Sequence, residues 1–126
     1  MKFSLVTIVT EQFEQMCAFY RQVLQVEPQI YRGNFAEFLT QAGTLALWRQ
    51  SEYETFGIGT LRGAANQSVL IEFEVADADA KYSTLKEMKI TIVQGLTTQP
   101  WGHRAFYIQD PDGNIINFYN LVAETR

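Results

Sequence analysis

The sequence predicts one α+β domain made of two βαβββ modules in tandem, and three observations carry that prediction. Residues 3–9 (FSLVTIV) are rich in β-formers, residues 68–75 alternate, and an amphipathic helical pattern follows each stretch. After each helix come three short strand candidates separated by turn residues. The halves also align at an offset near 66–70 residues. Val9-Thr10-Glu11 falls against Val75-Ala76-Asp77, and FLTQAGTLALW (38–48) against FYIQDPDGNIINFY (106–119). One such unit exposes an apolar sheet face, so the halves must pair, within the chain or across a dimer.

In the first helix, Phe13, Met16, Tyr20 and Val23 or Leu24 recur at three- and four-residue spacing, with Thr10 as the expected N-cap. Pro28 opposes continuation of the helix. Strands are expected at 29–32, 35–40 and 44–49, with turns at Gly33-Asn34 and Gly43. Residues 50–67 read as a polar, Gly-bearing connector between a first module (1–49) and a second (68–126), all within one domain spanning 1–126. In the second module Val69, Ile71, Phe73 and Val75 point one way, and Leu70, Glu72 and Glu74 the other. Asp77 caps a helix carrying Ala78, Tyr82, Leu85 and Met88 on one face. Strands at 91–94 and 103–109, a tight DPDG turn (110–113) and a last strand at 114–120 complete the order.

Composition excludes several classes. A chain of 126 residues can bury roughly two thirds of its unfolded surface, so no disulfide or structural metal is required. The single Cys17 has no internal partner and no activating neighbour, so it reads as a buried, inert thiol. Ten basic residues are scattered singly in a chain of net charge −4, which argues against nucleic acid as a partner. No window reaches the ~18 apolar residues of a membrane span, and the N-terminus lacks the pattern of a secretory signal. The expectation is a cytoplasmic protein. GIGTLRG lacks the spacing of a dinucleotide fingerprint, and Asp110 and Asp112 belong to a turn and not a calcium loop.

The two modules, AFYRQVLQ (18–25) and PWGHRAFYIQDPDGNIINFYN (100–120) resemble the glyoxalase/bleomycin-resistance (vicinal oxygen chelate) family over nearly the whole chain. The resemblance implies a cupped mixed sheet with helices outside, a ligand cavity, and commonly a homodimer. It also implies four metal-ligand positions on the concave face. These fall here on Ser4 or Leu5, on Leu47, on Leu70 and on Asn117. Leucine has no lone pair, a Ser hydroxyl is a weak donor, and Asn offers one neutral oxygen, whereas divalent metals need imidazole, carboxylate or thiolate. No metal and no cofactor are therefore expected, and catalytic residues are not assigned.

Strand alternation then nominates the ligand-binding side chains. Glu72 stands on the second module's first strand, Leu47 and Arg49 (with Leu45) on the first module's last, and Asn117 and Tyr119 (with Ile115) on the final strand. Arg104 and Phe106 are chosen on the seventh strand, and Trp101 and His103 stand at its entrance. Trp48 has core parity, while Tyr53 and Phe56 are expected near the cavity mouth. These residues describe an apolar, aromatic site with a few polar anchors, suited to a cationic or aromatic small molecule such as a drug. A family-type enzyme, with no metal or one relocated to Glu37, Glu72 and His103, is the alternative. A module recognising another protein is a third reading.

Overall fold

The computed structural model describes residues 1–122. The chain divides into two compact units, Met1–Asn66 and Gln67–Arg126. Each is a four-stranded mixed sheet in α+β order, giving the tandem βαβββ architecture with three helices in all among the described residues.

In the first unit, β1 (Leu5–Thr10), α1 (Phe13–Leu24), β2 (Gln29–Tyr31), β3 (Phe35–Leu39) and β4 (Thr44–Arg49) are followed by α2 (Gln50–Phe56). The sheet order is β1-β4-β3-β2, with β1 parallel to β4 and the rest antiparallel. α1 buries Phe13, Met16, Cys17, Tyr20 and Val23, the stripe that the helical spacing predicts. Its N-cap is Gln12 and not Thr10. The Thr10 hydroxyl instead accepts from the Gln12 N–H at 3.0 Å, shaping the turn that enters the helix.

The second unit repeats the order: β5 (Leu70–Glu74), α3 (Ala78–Glu87), β6 (Ile92–Thr98), β7 (His103–Gln109) and β8 (Ile115–Leu121). Its sheet runs β5-β8-β7-β6, with β5 parallel to β8. Asp77 caps α3 by accepting from the Ala80 N–H at 3.0 Å, and Asn120 on β8 accepts from the Ala78 N–H at 2.7 Å. The strand expected at 91–94 extends to Thr98. Two register irregularities in the β6–β7 pairing interrupt the alternation that sequence patterning relies on.

The expected connector contains a helix. α2 leaves β4 without a loop and organises the segment after it. The Tyr53 hydroxyl accepts from the Thr60 and Leu61 N–H groups at 3.0 Å each, and Gln50 Oε1 accepts from the Gly63 N–H at 2.8 Å. Tyr53 is buried in this role, whereas Phe56 is exposed. Glu52 is the anchor of the helix. It accepts from Arg32 Nη2 (2.8 Å), Asn34 Nδ2 (2.8 Å) and Trp48 Nε1 (2.9 Å). The Arg32 guanidinium, with the Trp48 and Asn34 donors, holds the Glu52 carboxyl at about 2 against its ordinary 4.5.

A depressed folded-state value means that the unfolded chain takes up the proton first. The stabilisation is complete above about 4.5 and is lost as pH falls toward about 2. Glu52→Ala is therefore expected to lower Tm by several degrees at pH 7 and to weaken the acid dependence of Tm between pH 4.5 and 2. Thermal denaturation of both proteins across that range checks it.

Candidate functional site

Which face each strand residue occupies follows from contacts with the helices. In the second unit, Phe118 stacks on Phe73 (5.5 Å) and Phe106 (5.6 Å), Tyr82 of α3 meets Phe106 edge-on at 5.3 Å, and the Lys81 ammonium lies 5.3 Å over Phe118. Arg104 Nε donates to Asp79 of α3 at 2.9 Å. Phe73, Phe106, Phe118 and Arg104 therefore share the α3 side of the sheet. This corrects the expectation for Arg104 and Phe106. β7 pairs Phe106 with Phe118 and Tyr107 with Asn117, so His103, Ala105 and Tyr107 occupy the face away from the helix.

The same logic corrects β4. Tyr20 of α1 meets Phe38 at 6.0 Å, and β3–β4 pairing sets Phe38 opposite Leu45 and Ala36 opposite Leu47. Leu45 and Leu47 are buried on the α1 side. Arg49 follows them, its guanidinium 4.8 Å from the Phe13 ring and ion-paired with Glu14. Asn34 Oδ1 (2.7 Å) and the Gly33 carbonyl (3.0 Å) take up its other donors. Arg49 is a structural clamp, not a cup residue. Trp48, assigned to the core from sequence, lies on the opposite face, against Phe35 (6.1 Å) and Tyr53 (5.4 Å).

The reason is a difference in loop length. Leu39 pairs with Thr44, leaving residues 40–43 in the first hairpin loop, while Gln109 pairs with Ile115, leaving 110–114 in the second. Counting from Gly43 as from Gly113 therefore slips by one residue, and one residue exchanges the faces. The structural repeat is 65 residues at the front of each unit: Leu5 matches Leu70, and Phe13 matches Ala78. Ala46 thereby replaces Leu47 as the counterpart of Asn117.

The face away from α3 gathers Glu72, Asn117, Tyr119 and His103 from the sequence-nominated set. Asn117 is 3% exposed, and its Nδ2 donates to Glu72 Oε1 at 2.8 Å. Its Oδ1 is buried and has no hydrogen-bond partner among the described residues. His103, also buried, lies parallel to the Tyr119 ring at 4.2 Å with an interplanar angle of 4°, and the half-exposed Trp101 meets it edge-on at 6.3 Å. Tyr107 joins this face by its pairing with Asn117 and was not nominated from sequence. Its signal was hidden, because HRAFYIQ carries bulky residues at both parities.

The donor set does not fit the family's divalent metal. The matching positions carry Leu5 and Ala46 in the first unit and Leu70 and Asn117 in the second, where only the Asn amide oxygen has a lone pair to offer. Among the described residues no group of three or more His, Cys, Asp or Glu side chains is arranged to hold a metal ion, the set Glu37, Glu72 and His103 included. No helix of the described residues is long and apolar enough to cross a membrane.

Two strand–helix–three-strand units with this hairpin geometry define a vicinal oxygen chelate fold, and the comparisons agree. The model of the glyoxalase-like domain matches residues 3–122, so the chain belongs to that family. A glyoxalase/bleomycin resistance protein/dioxygenase from Nocardioides is similar at 24% identity and a TM-score of 0.80, over 97% of this chain and 84% of that one. A family enzyme from Burkholderia phytofirmans aligns at 19% identity and a TM-score of 0.82, over 96% and 99%. A lactoylglutathione lyase from Agrobacterium tumefaciens aligns at 20% identity and a TM-score of 0.73, over 94% and 92%. At these identities the likeness is one of fold. A search of curated proteins finds no match.

Proposed function

We propose that this protein is a metal-independent binder of a small aromatic or cationic molecule, acting by sequestration as a homodimer in the cytoplasm. One observation carries the reading: the last-strand position where relatives place a metal-binding carboxylate holds Asn117, whose amide is tied to Glu72 at 2.8 Å. An amide in that position recognises hydrogen-bond partners, and one neutral oxygen with Leu5, Ala46 and Leu70 at the other three positions is too few donors for a divalent ion. The His103–Tyr119 stack beside it on the same face, with Trp101 half exposed at its edge, suits a planar ring. The resemblance to the bleomycin-resistance proteins supports both drug-like ligands and the dimer.

The test is a screen of aromatic natural products and antibiotics by tryptophan fluorescence and thermal shift, with and without EDTA. A true ligand at 100 times its Kd stabilises the fold by about 2.7 kcal/mol. The expected result is saturable stabilisation that EDTA does not change. Stoichiometric zinc, manganese, nickel or iron in the purified protein, with binding abolished by EDTA, would overturn the reading in favour of an enzyme. Native mass spectrometry at micromolar concentration is expected to give twice the mass of 14.4 kDa, and a monomer would remove the dimer.

A further inference from the structure

We infer that Glu72 and Asn117 form a two-acceptor pair that reads an ammonium, amidinium or guanidinium group carried by an aromatic ligand. The inference rests on the binding reading above and names the chemistry of its ligand. Asn117 Nδ2 is committed to Glu72 Oε1, which fixes the amide so that Oδ1 is the remaining polar atom. That oxygen is buried and receives no hydrogen bond. A buried acceptor left in this state costs stability that an apolar residue of the same size would not. The partner it lacks is a donor, since an amide oxygen can only accept.

Charge points the same way. Glu72 makes no ion pair among the described residues, and Glu74, two residues along on the same face of β5, makes none either. The cations of this unit that make contacts lie elsewhere. Arg104 pairs with Asp79 and Lys81 covers Phe118 on the α3 side, and Lys86 lies against Tyr82 of α3. Among the described residues, the face away from α3 thus holds a buried amide oxygen with no hydrogen bond beside a carboxylate with no ion pair. A neutral hydroxyl brings one donor. A cationic nitrogen group brings two or more, and its bonds to a carboxylate are the stronger kind.

Three probes of one ring size separate the possibilities: benzamidine, benzyl alcohol and benzoate, titrated by calorimetry and by the NMR shift of the Asn117 side-chain amide. Benzamidine is expected to bind about tenfold more tightly than benzyl alcohol, with benzoate weakest. Glu72→Gln, on an exposed side chain, and Asn117→Leu are each expected to bring benzamidine to within about twofold of benzyl alcohol. Should Asn117→Leu fail to fold, Glu72→Gln carries the test alone. Equal affinity of benzamidine and benzyl alcohol for the native protein, or a preference that survives Glu72→Gln, overturns this inference while leaving aromatic binding intact. If neither these probes nor the wider screen binds, the binding reading falls and this inference with it.

Discussion

Phe118→Ala is expected to cost about 3–5 kcal/mol of folding free energy, the largest loss from any single truncation argued here. The ring is 1% exposed and lies between Phe73 and Phe106 at 5.5 and 5.6 Å, both pairs near parallel. Truncation removes the transfer free energy of the ring and opens a cavity that three strands and α3 cannot close without moving. It also deletes two aromatic pairs and the surface over which the Lys81 ammonium lies. Burial already holds the Lys81 pKa below its ordinary value of 10.5. Urea denaturation checks the prediction: the midpoint should fall sharply, and a change under 1 kcal/mol would show that the β8 core does not bear the packing assigned to it. Phe118→Leu, which keeps most of the volume, is expected to lose less than half as much.

Asp110→Ala is expected to cost about 2–4 kcal/mol, although it removes a polar side chain from a turn. Asp110 is buried, and its Oδ1 accepts from the Asp112 and Asn114 N–H groups at 2.9 Å each, while Oδ2 accepts from Asn114 Nδ2 at 2.7 Å. The carboxylate is the internal template of the β7–β8 loop, holding together a turn in which Gly113 takes a left-handed φ of +88°. Alanine leaves these donors without their acceptor where Asp110 and Asn114 are buried. Asp110→Asn keeps the Oδ1 bonds but sets an NH2 group against the Asn114 amide, so an intermediate loss is expected. Equilibrium denaturation of the two variants tests the ordering. If Asn and Ala cost the same, the second oxygen is the one that matters.

The parts of this molecule that patterning reached are those with one wet face and one dry face. β5 alternates cleanly, with Ile71 and Phe73 half buried and Leu70, Glu72 and Glu74 exposed, so the face that Glu72 occupies is legible from its neighbours alone. Asp77 announced α3 because a short carboxylate before an amphipathic run satisfies the helix's free N–H groups. β4 gave no such signal. In TLALWR three successive central residues, Leu45, Ala46 and Leu47, are all buried, and a strand apolar on both faces has no readable parity. β7 is similar, since Ala105 and Phe106 are both buried on opposite faces. α2 was hidden for another reason. Seven residues are too short for a clear period, and what secures the helix is the contact of Glu52 with Arg32, Asn34 and Trp48.

Sequence by itself therefore determined the repeat, the order of the strands with α1 and α3, the turn built on Asp110, and the absence of ion-gripping side chains at the inherited positions. Those are matters of residue chemistry and local spacing, which survive without coordinates. Tertiary structure alone decided which side of β4 and β7 meets a helix, moving Leu47, Arg49, Arg104 and Phe106 away from the candidate site and bringing Tyr107 into it. For β4, a single residue of difference between two hairpin loops shifts the count from one face to the other, because side chains change face at every step along a strand.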